Sequence, residues 1–135
     1  MKHFVCQLRH EHECHFKDAA AKLASGIYER GTMEFLFPVP AGMGGKAWEL
    51  PSVDVTITIL HDPELGANMH AIGQRLLAMK DAASAIDVAG MHRIHIWATL
   101  FSEICGDRPN TFCEVLERLF GDREDERVRV VLSRL

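Results

Sequence analysis

From Asp62 to Ile86, apolar residues return at every third or fourth position: Leu65, Met69, Ile72, Leu76, Met79, Ala83 and Ile86. That period gathers them on one flank of a helix, so the rest of the chain must supply a surface for the stripe to bury itself against. The start is marked too: Asp62 can accept from free amides, Pro63 suits the first helical position, and Glu64 complements the dipole. The pattern predicts one long helix stopping near Gly90, weakest around Asp81. A second stripe, Phe16, Ala20, Leu23 and Ile27, predicts a helix over residues 16–29 that Gly31 helps to end.

Strands are expected where the period falls to two. In residues 3–10, Phe4, Cys6 and Leu8 alternate with Val5, Gln7 and Arg9. Met33 to Val39 is mostly apolar and is expected as a strand covered on both faces. A glycine- and proline-rich loop, Pro40 to Ser52, leads to Val53, Val55, Ile57 and Ile59, which alternate with Asp54, Thr56 and Thr58 and are β-branched. In Met91 to Phe101, Ile94, Ile96, Ala98 and Leu100 fall on one face and His95, Trp97, Thr99 and Phe101 on the other. Thr111 and Glu114 fit a capping box that opens a helix to Phe120. A solvated turn over Gly121–Arg127 and a last strand, Arg127 to Arg134, complete the chain.

The expected order is β-α-β-β-α-β-α-β, an α+β protein. Its first six elements follow the ferredoxin-like split βαβ arrangement, with a C-terminal helix and strand added. Helices would pack on one face of a mainly antiparallel sheet, leaving the other face open. The 135 residues suit one α/β domain, 1–135. A chain of this length buries roughly two-thirds of its unfolded surface, so it needs neither metal nor disulfide to hold a core.

Composition narrows the function classes. The net charge of −4 lacks the basic excess that nucleic acid demands. No apolar run reaches the roughly 18 residues of a membrane span, and Met1–Phe4 do not open a signal peptide. A cytoplasmic protein is expected, with Cys6, Cys14, Cys105 and Cys113 as reduced thiols.

The densest polar cluster runs from Arg9 to His15. On a strand, His10, His12 and Cys14 would share one face, and imidazole and thiolate suit zinc. The competing reading is a polar connection facing water. In the expected fourth strand, Arg93, His95 and Trp97 share a face and, with His92, would line a pocket for a small anion or aromatic compound, with histidine able to act as acid or base. The competing reading places Trp97 in the core. Trp48, beside the loop, is a candidate protein-contact anchor. Gly42–Lys46 imitates a phosphate loop but lacks its spacing and its following helix. Gly66 and Gly73 on one helix face predict close approach of another backbone.

No catalytic constellation assembles from spacing. Size, acidity and βα alternation are shared with small bacterial proteins that neutralise a toxin. The leading expectation is therefore a protein-binding module of inhibitor or immunity type, with Asp122, Glu124, Asp125 and Glu126 steering a basic partner. The alternatives are a small-molecule binder or enzyme using the Arg93/His95/Trp97 face, and a zinc protein using His10, His12 and Cys14. A homodimer is expected from an uncovered sheet face or edge.

Overall fold

The computed structural model describes residues 2–43, 47–107, 109–121 and 123–133. Among these the architecture is helical, which overturns the ferredoxin-like expectation. Seven α-helices surround a single pair of two-residue strands: α1 Lys2–Ala24, α2 Val53–His61, α3 Pro63–Ala78, α4 Ala82–Ala85, α5 Val88–Cys105, α6 Thr111–Phe120 and α7 Glu126–Ser133. The strands, β1 Val39–Pro40 and β2 Glu49–Leu50, pair in parallel, not antiparallel, with Val39 opposite Glu49. Among the described residues there is no open sheet face for a dimer to cover, and residues 127–133 form no sheet edge.

The first expected strand is the start of α1. Val5, Leu8, His12, Ala19 and Leu23 are buried and Phe16 half-buried, an inward stripe of helical period that crosses the polar run unbroken. Of the alternating set Phe4, Cys6 and Leu8, Leu8 alone is buried in this stripe, and Cys6 is exposed. The helix ends at Ala24 rather than near residue 29. Gly26, at φ +80°, takes the left-handed conformation, and the Ile27 amide donates to Lys22 O while that of Gly26 donates to Leu23 O. These two bonds form a Schellman closure.

Met33–Val39 is buried as expected but is no strand: Glu34–Leu36 form a single 3-10 turn. Pro38 has no amide to give to a ladder, and only Val39 and Pro40 find a partner. Val53–Ile59 is helix α2. Its buried residues are Val55, Thr56 and Ile59, a helical and not an alternating set, and Ser52 caps it by accepting from the Val55 amide at 3.4 Å. Tertiary burial overrides the β preference of this run.

The expected long helix is three. Asp62 Oδ1 opens α3 by accepting from the Glu64 and Leu65 amides, both at 3.0 Å, and the helix stops at Ala78. Asp81 then caps α4 through the Ser84 amide at 3.2 Å, and Asp87 caps α5 through the Gly90 amide at 2.7 Å. Gly90 therefore lies in the first turn of α5 and stops nothing.

The expected fourth strand is the body of α5. Arg93, Ile94, Ile96, Trp97, Ala98, Thr99, Leu100, Phe101 and Ser102 are all buried, so the helix is enclosed on nearly every side. A helix buried on most of its sides shows little amphipathic period, which is why a short alternation could imitate a strand. Trp97 stands at its centre, edge-on to Phe37 and Phe112 with ring centroids 5.0 and 5.3 Å away. The α6 helix lies where expected, but Asn110, not Thr111, caps it, accepting from the Cys113 amide at 2.9 Å.

The last expected strand is α7, capped by Asp125 through the Arg127 amide at 2.9 Å; Arg134 lies outside the described residues. Gly66 marks the expected close approach of backbone, whereas Gly73 faces side chains instead. A Cβ on Gly66 would stand 2.4 Å from the Leu60 carbonyl oxygen, and one on Gly73 would stand 2.4 Å from Thr111 Cγ2.

Candidate functional site

Once residues 88–105 are helical, Ala89, His92, Arg93 and Ile96 recur at three and four and face one way. They form one wall of a cleft of about 410 Å³. The segment after α1 contributes Tyr28, Arg30 and Glu34, the β1 region Val39 and Met43, and the start of α7 contributes Arg127. The volume falls within the range of small-molecule sites.

Arg93 anchors the cleft from below. Its Nε donates to Phe37 O at 2.8 Å, Nη1 to Glu34 Oε2 at 3.1 Å, and Nη2 to Ala47 O at 2.8 Å and Glu34 O at 3.3 Å. Burial lowers its pKa from the usual range and Glu34 opposes that; an arginine so paired stays a cation. This side chain ties the 3-10 turn, the Phe37 that follows it and the loop before β2 to α5. Burial pushes the Tyr28 phenol up to about 12, with the Arg93 charge offsetting part of the rise, so Tyr28 is a neutral hydroxyl donor at physiological pH.

The other two guanidiniums are exposed and held by carboxylates. Arg30 Nη2 donates to Asp87 Oδ2 at 3.0 Å. The Gly90 amide, and after it Arg30, holds the Asp87 carboxyl below its ordinary range. Arg127 Nη2 lies 3.4 Å from Asp125 Oδ2 and also donates to His92 Nε2. Burial tends to raise the Asp125 carboxyl, but the Arg127 side chain and backbone amide outweigh it and hold it low. Gly90 leaves room for Tyr28: a Cβ there would stand 2.7 Å from Tyr28 Cε2. The lining holds three guanidiniums, an imidazole and a phenol with apolar Val39, Met43 and Ile96; its one carboxylate, Glu34, is paired with Arg93, and among the described residues it holds no serine, threonine or cysteine. Such a surface can fix an anion by charge-assisted hydrogen bonds.

Of the pocket residues expected from the sequence, Arg93 and its neighbour His92 reach this cleft, while His95 and Trp97 do not. His95 points elsewhere, stacked on Phe120 at 4.3 Å with Nε2 2.6 Å from Arg123 O. Trp97 is enclosed in the core. Trp48, at φ 57°, lies half-buried with its ring edge-on to Phe4 beside α1. The open-face pocket of Arg93, His95 and Trp97 is thus not assembled, because a helix sends alternate residues in different directions.

The zinc set is divided as well. His10 and Cys14 stand one turn apart on the exposed face of α1, while His12 points inward, where Asn68 Nδ2 lies 3.1 Å from its Nδ1. Among the described residues, no three His, Cys, Asp or Glu side chains are placed to hold one ion. In the loop likened to a phosphate loop, residues 44–46 lie outside the described residues, as does Asp122 of the acidic run. Sequence reasoning missed Tyr28, Arg30 and Arg127. His92 was weighed with His95, but only the helical spacing 89-92-93-96 puts it beside Arg93 in this cleft; nothing local ties Arg30 or Arg127 to it.

The fold and cleft define a helical protein with an arginine-lined cleft. A family model described as "Protein of unknown function (DUF1810)" matches residues 2–132, so the chain belongs to the DUF1810 family. Searches of curated proteins and of solved structures returned no match. Among the described residues, no helix is long and apolar enough to cross a membrane.

Proposed function

We propose that this protein is a binding module for a small organic anion, held in the cleft between α5, the segment after α1 and the start of α7. One observation supports the reading above the rest: Arg30, Arg93, Arg127, His92 and Tyr28 converge on a single cleft of about 410 Å³ with partly apolar walls. Arg93 shapes the floor, since its donors are engaged. Arg30 and Arg127 are the recognition groups, released from Asp87 and Asp125 when a carboxylate or phosphate offers better geometry. Four free thiols, two of them exposed, suit a reducing compartment such as the cytoplasm.

Thermal-shift and calorimetric titrations with phosphate, benzoate and adenosine monophosphate test this. At least one of them should bind, and Arg30→Gln and Arg127→Gln should each weaken it by about tenfold or more, the worth of a charge-assisted bond. Absence of any stabilisation, or binding unchanged in the double variant, refutes the reading.

A second reading, a protein partner of the inhibitor type, has its own support. Ile27 and Val88 are 49% and 88% exposed, and each stands close in sequence to a partner of the Arg30–Asp87 pair at the cleft mouth. Isolated surface apolars are ordinary, but two beside one polar pair suit a contact surface. Capture of a partner from the native host, lost in Val88→Asp, is the expected result; capture unaffected by that change counts against it.

A further inference from the structure

The exposed face of α1 carries Cys6, His10 and Cys14 at intervals of four. Two of them meet: His10 Nε2 lies 3.7 Å from Cys14 Sγ. A zinc ion bound at about 2.3 Å from sulfur and about 2.0 Å from nitrogen, at the tetrahedral angle, holds those two atoms about 3.5 Å apart. The pair is therefore already close to the separation that one shared ion imposes. Both side chains are exposed, so an ion can reach them. Imidazole with thiolate selects zinc-like cations over magnesium or calcium.

A closed zinc site takes four donors, and among the described residues none joins this pair to make three. A two-donor clip on an exposed helix is half of such a site. The same clip on a second copy, related by a twofold axis, supplies the other half, because an isologous interface brings identical residues together. We propose that His10 and Cys14 form a half-site for a zinc-class cation, completed as a Cys2His2 centre between the α1 helices of two copies of this chain. His12, buried against Asn68, takes no part.

The full chain, kept reduced with a phosphine, would be titrated with Co²⁺ and followed by visible absorption, then with Zn²⁺ and followed by sedimentation velocity. The expected result is a thiolate-to-cobalt charge-transfer band saturating at one metal per two chains, with a shift to dimer that a chelator reverses. His10→Gln and Cys14→Ser should abolish both the band and the shift, while Cys6→Ser and His15→Gln keep them. Circular dichroism of the variants should match the parent, since these side chains are exposed. Absence of a band, saturation at one metal per chain without dimerisation, loss in Cys6→Ser, or survival in either His10→Gln or Cys14→Ser would overturn the proposal.

Discussion

Acid should destabilise this protein through His12, by an amount the structure allows to be worked out. The side chain is 3% exposed, stacked on Phe16 at 5.4 Å and edge-on to Phe35 at 5.2 Å. Burial pushes its imidazole from an ordinary 6.5 down to about 4, with the Phe35 carbonyl offsetting a little. The folded protein therefore binds this proton less readily than the unfolded chain. The stabilisation is complete above the unfolded value near 6.5, declines as pH falls through the window, and levels off below about 4. A gap of this size amounts to about 3 kcal/mol, of which about 2.5 is lost by about pH 4.5. That is a large share of the roughly 5–15 kcal/mol that holds a domain folded.

The comparison is with His12→Gln, which keeps an acceptor for Asn68 and cannot titrate. Urea unfolding at about pH 7.5 and about pH 4.5, read by circular dichroism, gives both stabilities. Carboxylates common to the two proteins cancel. The stability advantage of the parent over the variant should shrink, or reverse, by about 2.5 kcal/mol on acidification. A difference that stays constant to within about 0.5 kcal/mol, near the resolution of such comparisons, would refute the burial argument.

Arg93→Met leaves the Phe37, Glu34 and Ala47 carbonyls and the Glu34 carboxylate without their donor and should cost about 3–5 kcal/mol in urea unfolding; Arg93→Lys should recover little, because a compact ammonium cannot span four acceptor atoms. Gly66→Ala should destabilise by more than Gly73→Ala, since the first Cβ meets the Leu60 backbone and the second only the Thr111 side chain; equal melting temperatures would contradict this. Asp62→Ala removes the α3 cap and the partner of Arg9 at 2.5 Å, and should cost about 1–2 kcal/mol by denaturant titration. The Leu65 amide and Arg9 hold the Asp62 carboxyl below its usual range. Its contribution is thus present above the unfolded value of 3.8 and is lost as pH falls through the lower folded value, so Asp62→Asn should flatten the acid limb of stability.

What could be read from the sequence was what chemistry writes locally. The Asp62-Pro63-Glu64 start placed α3, and the Thr111/Glu114 signal placed α6, although the capping side chain is that of Asn110. The failures share one physical origin. Val53–Ile59 and Met91–Phe101 hold apolar residues at spacings that suit either period, and only their surroundings decide. For α5 those surroundings bury most of its sides, a fact supplied by Phe37, Phe112 and other residues distant in the chain. In α1 the inward stripe includes His12, a polar residue that hid the period. The cleft was hidden for a related reason. Arg93 was singled out, but the partners that give it a role, Glu34, Phe37 and Ala47, lie 46–59 positions away.

Backbone NMR of the labelled protein, with phosphate and adenosine monophosphate added stepwise, examines the architecture and the cleft together. Residues 88–105 should show helical carbon shifts, and at least one of the two anions should move resonances at Gly90 and His92 and of the Arg30 and Arg127 side chains. Extended-chain shifts across that segment, or perturbations confined to the far side of α6, would contradict the account.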